Sequence, residues 1–343
     1  MAESVRNLHP AYFALVMATG IVGIAAQLEG ISALAKAITW LNAFAFLILC
    51  TMTLSRIVFY PAEIAADLID HKRGVGFFTT VAATAILGTD LVVVYGEHKI
   101  ALLLWILAAL LWVSLTYTIF TAYTVKQQKP AFAEGINGAW LLAVVATESV
   151  SQLATLLSPT AGAHQSQILF LSLCLWLCGG MLYIWMISLI FYRYTFFVFS
   201  ASDLMPPYWI NMGAVAISSL AGILLMEHAS GVPFLRQMTP FLMGFTLFFW
   251  ATATWWIPML VILGVWRHGY KRFKLAYDPL YWGLVFPLGM YTVATRRLSE
   301  VINLPFLLPL ARVFVVAAAV AWLATFSGLI HRLVEVLSVK KSH

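Results

Sequence analysis

The chain has 343 residues, of which 62% are hydrophobic and 10% charged, and its formal net charge is +6. Soluble proteins average about 45–50% apolar and about 25% charged residues, so this composition excludes an ordinary cytosolic enzyme, a disordered chain and a secreted disulfide scaffold. A mean hydropathy of +0.91 leaves a protein that crosses the membrane several times.

A bilayer-spanning helix needs about 20 mostly apolar residues. In chain order, such runs are predicted at 10–28, 37–55, 74–94, 100–124, 137–157, 167–191, 204–226, 237–265, 279–295 and 304–330. Asp90, Glu148 and Arg312 interrupt three of them. The first run has a poorly basic flank, Arg6 opposed by Glu3, and reads as a span rather than a cleaved leader. The whole chain, 1–343, reads as one transmembrane domain. With the N-terminus inside, fourteen Lys and Arg fall in inside segments and six outside, Lys340 and Lys341 being among the fourteen. The positive-inside rule then puts both termini in the cytoplasm of a cell membrane. A basic balance can mean nucleic acid, but these charges lie mostly between apolar runs, so the bilayer accounts for them and no nucleic-acid partner is expected. Cys50, Cys174 and Cys178 sit in apolar runs and read as small core hydrophobes.

The odd-numbered runs begin alike. An aromatic stands at Tyr12, Phe77, Trp140, Tyr208 and Tyr281. Four residues later come Val16, Val81, Val144, Met212 and Val285, and six later Ala18, Ala83, Ala146, Ala214 and Pro287. Each repeat is two helices long, so all copies share one orientation and are related by rotation about the membrane normal. The expected fold is all-α: ten transmembrane helices as five helical hairpins in a quasi-fivefold ring around a central pore. Small residues crowd 138–157 and large apolar ones 168–191. Small residues permit close approach and leave room for a lumen, so the odd helices should be inner and the even ones outer. Pro287 lies inside the ninth span and frees the carbonyl of Gly283, where a kink beside Gly289 would bend the lining.

Glu148 lies mid-span, eight residues past its aromatic. An ionisable group at that depth costs on the order of 2.5–3.5 kcal/mol, so it faces a cavity or a partner. It is either a titratable, pH-sensing group in a permeation path or a carboxyl pinning neighbouring helices. Positions five and eight after the aromatic are one turn apart on one helix face. Phe286 and Met17 hold position five, and Gly20 and Gly289 share position eight with Glu148. Thr89 and Gln152, further along that face, could hydrogen-bond a passing anion, although such a threonine often bonds its own helix carbonyl. Arg296, Arg297 and Glu300 end the ninth span with Asp90 at similar depth, forming an outer mouth. The arginines there would either concentrate anions or pair with Asp90 or Glu300. No His-Glu-x-x-His, P-loop or Gly-x-Ser-x-Gly motif is present. No enzyme activity, catalytic residue, metal site or cofactor is therefore expected.

Two stretches carry a resemblance. One runs from His9-Pro10-Ala11-Tyr12-Phe13-Ala14 through Met17-Ala18-Thr19-Gly20-Ile21-Val22-Gly23. The other is Val285-Phe286-Pro287-Leu288-Gly289, continued by Thr292, Ala294, Thr295 and Glu300. The chain resembles the tellurite-resistance/dicarboxylate transporter family, which includes bacterial TehA, the yeast malate permeases and the slow anion channels of plant guard cells. The resemblance implies five hairpins around a pore, a homotrimer, and Phe286 as the ring that occludes the pore. It implies small anions as partners: C4-dicarboxylates, chloride or nitrate, or tellurite. A carboxylate in an anion path repels its cargo unless protonated. Glu148 therefore leaves two readings, a proton-linked carrier or a passive channel in which Glu148 is structural.

Overall fold

The computed structural model describes residues 2–339, and its regular structure among them is entirely helical. Lys340 and Lys341 lie outside the described residues. Ten long helices follow one another: α1 (Ala14–Leu28), α2 (Ser32–Phe59), α3 (Phe78–Tyr95), α4 (His98–Val125), α5 (Leu142–Leu157), α6 (Gln165–Phe196), α7 (Ile210–Glu227), α8 (Thr239–Val265), α9 (Trp282–Val301) and α10 (Leu308–Val339).

By length and apolar composition, eight stretches can cross a membrane. The difference from ten has two sources. The stretch 138–196 holds both α5 and α6, which turn about a 3-10 segment, Ser158–His164, where Gly162 takes φ +54°. The ninth helix is absent from the eight because Arg296, Arg297 and Glu300 lie within it. The protein is a multi-pass membrane protein.

Each odd-numbered helix is entered through a short 3-10 turn, and the repeated aromatic sits inside every one: Pro10–Phe13, Gly74–Phe77, Gly138–Leu141, Pro206–Trp209 and Pro279–Tyr281. The local chemistry explains the turns. Proline suits a first helical position because its missing N–H has no partner to lose there. Three turns are capped by a side chain that accepts from the backbone N–H two residues on: His9 from Ala11 at 3.1 Å, Asn137 from Ala139 at 2.8 Å and Asp278 from Leu280 at 2.8 Å.

Burial alternates along the chain. In the most apolar stretch of α7, 94% of residues are buried; for α4 the share is 11%. The odd helices are interspersed with Ala, Gly, Ser and Thr, which let helices approach closely, and the even helices present Leu, Ile, Phe and Trp outward. Each odd helix packs against the even helix that follows it: α1 on α2, α3 on α4, α5 on α6, α7 on α8, α9 on α10. The odd helices also pack in sequence, α1 on α3, α3 on α5, α5 on α7, α7 on α9, and α9 on α1.

A side chain on each even helix donates to the next odd helix. Thr39 on α2 reaches Asp90 on α3 (2.9 Å), Trp112 on α4 reaches Thr147 on α5 (2.8 Å), and Trp176 on α6 reaches the Ser218 carbonyl on α7 (2.8 Å). Trp250 on α8 reaches Thr295 on α9 (3.0 Å), and Trp322 on α10 returns to Thr19 on α1 (3.1 Å). Indole N–H groups are suited to this, since the ring fills the apolar interface while the nitrogen finds an acceptor.

Candidate functional site

Counting from the repeated aromatic gives every odd helix a common ruler. At the N-terminal ends of these helices lies a cavity of about 130 Å³. All five repeats border it at equivalent places. The residue before the aromatic contributes Ala11, Gly76, Ala139, Pro207 and Leu280; the second after it contributes Ala14, Thr79, Leu142, Ile210 and Gly283. Met17 and Phe286, both at position five, form part of its wall. Phe286 is 1% exposed.

At the C-terminal ends lies a second cavity, of about 170 Å³, again bordered by all five repeats. Position twelve supplies Ile24, Thr89, Gln152, Leu220 and Val293; position sixteen supplies Leu28, Val93, Leu156, Leu224 and Arg297. No residue borders both cavities. Between them in depth is position nine: Ile21, Ile86, Ser149, Ile217 and Met290, all fully buried. At about 100° per residue, positions five, nine, twelve and sixteen fall within an arc of about 60°, so they share one helix face.

Each cavity has a basic side chain in its wall, and among the described residues no carboxylate borders either. The N-terminal cavity has His9, Lys72, Arg73 and Asn137 in its wall. The Arg73 Nε donates to Asp67 at 2.6 Å, and Arg56 holds the other Asp67 oxygen at 2.8 Å. Burial, then the Arg73 guanidinium, holds the His9 imidazole down at about 4, with Asp67 and Asp278 opposing and Arg56 reinforcing. In the C-terminal cavity the charge is Arg297, braced by Glu227 at 2.7 Å and Glu300 at 3.1 Å.

The residues singled out from the sequence divide. Phe286 and Met17 border the N-terminal cavity; Thr89, Gln152 and Arg297 border the C-terminal one. Thr89 donates to the Ala85 carbonyl of its own helix at 3.1 Å, while Gln152 Oε1 is buried without a partner. The three position-eight residues border neither cavity. A Cβ on Gly20 would meet Asn42 on α2 at 2.8 Å and Ile86 on α3 at 2.9 Å, and one on Gly289 would meet Ile21 on α1 at 2.8 Å, so these glycines face neighbouring helices. Glu148 points the same way, between α6 and α7. Its Oε1 accepts from the Ser218 hydroxyl at 3.0 Å and lies against Gly179, and its Oε2 is buried without a partner.

Asp90 is fully buried between α2 and α3, held by Thr39, and meets neither arginine. Arg296 turns away from the cavity to Glu29 at 2.5 Å, with Glu300 at 3.5 Å. Of the two pairings open from the sequence, both arginines take Glu300 and also acquire Glu29 and Glu227, which sequence separation hides. Pro287 stays within α9 and packs where a Cβ on Gly213 would meet it at 2.6 Å. Sequence reading passed over His9, Arg73 and Asn137 as cavity residues, and position nine altogether. The signal for position nine was legible, since four of its five residues are Ile or Met.

A model of the voltage-dependent anion channel family matches residues 7–330. The chain belongs to the voltage-dependent anion channel family. This is the TehA-like group that its terminal motifs resemble. It is 35% identical over 164 residues to an uncharacterised membrane protein of Mycobacterium tuberculosis, covering 47% of this chain and 83% of that one. It is 23% identical over 308 residues to an uncharacterised transporter of Methanocaldococcus jannaschii (88% and 87% covered). A sulfite efflux pump of Trichophyton rubrum matches at 22% identity over 352 residues (96% and 92% covered). Membership in this family is membership in a group of anion channels and transporters.

Proposed function

We propose that this protein passes small anions across the membrane along the axis of a quasi-fivefold ring of its odd helices, with Phe286 as the plug. The observation that carries the reading is the pair of cavities at opposite ends of the same five helices, each bordered at equivalent repeat positions, with a basic side chain and, among the described residues, no carboxylate in its wall. The net positive charge of Lys72 and the Arg56–Asp67–Arg73 trio concentrates anions at the N-terminal mouth, and Arg297 offers a cation in the wall of the C-terminal one while Glu227 and Glu300 hold it from behind. The closed segment has two levels: Phe286 and Met17 at position five, then Ile21, Ile86, Ile217 and Met290 at position nine. Hydrophobic constrictions of this kind gate by excluding water. Met17, Thr89, Gln152 and Arg297 line the path; Arg296 and Glu300 set the field around Arg297, and Gly20, Gly289 and Pro287 set how closely the lining helices approach.

The cargo belongs to the class of small mono- and divalent anions. Chloride, nitrate, C4-dicarboxylates and tellurite are its candidates. Sulfite joins them because that ion names the fungal relative. Both termini face the cytoplasm of the cell membrane, and the assembly is a homotrimer. Glu148 acts as a structural carboxyl in this account, since its bonds go to α7 and its contacts to α6. The partnerless Glu148 Oε2 favours a second reading, a proton-linked carrier in which that oxygen gains and loses a proton.

The test is flux in proteoliposomes with chloride, nitrate, malate and sulfite at two pH values. Phe286→Ala raises flux of at least one of them severalfold over the wild type. An unchanged rate removes the plug assignment, and no flux of any anion through either protein overturns the conduit. Glu148→Gln retains the wild-type pH profile under the structural reading and flattens it under the carrier reading.

A further inference from the structure

We infer that the N-terminal cavity is a binding site for a polyatomic oxyanion, held by the free N–H donors of His9 and Asn137 beside the Arg73 guanidinium. The inference rests on the conduit reading and names the class of cargo that this end of the path selects.

His9 and Asn137 hold the same place in repeats one and three, three residues before the aromatic. Each uses its acceptor locally to cap the turn that follows, at 3.1 and 2.8 Å. Those bonds fix the polarity of both side chains. An imidazole accepting at Nδ1 carries its proton at Nε2, and an amide whose oxygen caps a helix is left with its NH2 group. His9 Nε2 and Asn137 Nδ2 have no protein partner among the described residues, and both side chains border the cavity. Asn137 is 5% exposed, so its side chain is held in the cavity wall by its surroundings. Two such capping residues in the wall of one cavity, where helix N-termini converge, place two unused N–H donors around the same space.

The charge around the array is positive without being diffuse. Asp67 is held by both Arg56 and Arg73, leaving one net positive charge on that trio. Lys72 borders the cavity with no ion pair among the described residues. Asp278, the capping residue of repeat five, does not border it. A halide gains from this charge, but only an anion with several oxygens offers separate acceptors to separate N–H groups in fixed directions.

The test uses the full chain in detergent and the probes nitrate and chloride at matched ionic strength. A ligand that binds only the folded state raises its melting midpoint by an amount that grows with the logarithm of one plus the ratio of ligand concentration to Kd, so a titration reads the affinity. Asn137→Asp keeps the capping oxygen and removes the N–H. Asn137→Ala removes the donor without adding charge. Asn137→His restores the acceptor–donor pair that repeat one uses. Nitrate is expected to stabilise the wild type beyond chloride, with its affinity weakened on the order of tenfold in Asn137→Asp and Asn137→Ala and retained in Asn137→His. Equal nitrate responses in wild type, Asn137→Asp and Asn137→Ala, or no response in the wild type, overturn the site. Liposome flux judges the conduit separately: nitrate binding without any anion flux leaves the site standing and the conduit fallen, and flux without nitrate binding does the reverse.

Discussion

Trp322 on the last helix donates its indole N–H to Thr19 on the first at 3.1 Å. Thr19 and Thr147 are equivalent, seven residues past their aromatics, and Trp112 binds Thr147 from the helix preceding it at 2.8 Å. The contact between chain ends is therefore one more copy of an internal contact, as expected when hairpins related by rotation meet their neighbours. Removing the donor with Trp322→Phe, in a cycle with Thr19→Val, should give a coupling of about 0.6 kcal/mol, the average for such bonds between membrane helices. Denaturant titration in micelles measures it, and a coupling near zero would show that the ring packs without the bond.

The Glu148 carboxyl occupies the space that a side chain on Gly179 would need. Gly179→Ala is expected to destabilise by about 1–3 kcal/mol through overpacking. Gly244→Ala on α8 is the control, because nothing lies within 4 Å of its Cβ, and replacing an exposed helical glycine gains up to about 1 kcal/mol. Thermal melts that rank the two the other way would place Glu148 elsewhere in solution.

His9 gives a pH signature. Its imidazole titrates at about 4 when folded against 6.5 as a free side chain, with burial the main cause and the Arg73 guanidinium next. Between those values the unfolded chain binds a proton that the folded protein refuses. The contribution of His9 to stability is thus whole above pH 6.5 and fades as the pH falls toward 4. Comparing wild type with His9→Asn, which keeps a capping oxygen, should show the wild type losing more stability over that window. Parallel curves would mean the ring is hydrated and titrates normally.

Arg297 and Arg296 are sequence neighbours with different outlooks. Arg297 borders the C-terminal cavity, and Arg296 is turned to Glu29. Arg297→Gln leaves Glu227 at the mouth without its cation and Glu300 with Arg296 alone, so anion flux at low salt should fall severalfold and recover partly at high salt, where fixed charges are screened. Arg296→Gln should cost less flux. Equal losses in the two variants would assign the effect to the general field of that end.

The sequence by itself determined that this chain lives in a bilayer, that its helices come in pairs, and where each odd helix begins. Those properties reside in composition, in apolar run length and in proline, aromatic and capping residues that act within a few positions of themselves. Of the residues that border the cavities, it picked out Phe286, Thr89 and Gln152, because a repeat ruler carries one helix face from copy to copy, and Arg297, because it ends the ninth span. It did not separate position eight from position nine. Adjacent residues differ by only about 100°, and which of them turns inward is set by the tilt and rotation that packing imposes, as when Ile86 seats over Gly20 and Glu148 over Gly179. Only the tertiary structure brought His9, Arg73 and Asn137 to one cavity, and gave Arg296 and Arg297 their partners Glu29 and Glu227, since contacts between distant hairpins leave no local pattern to read.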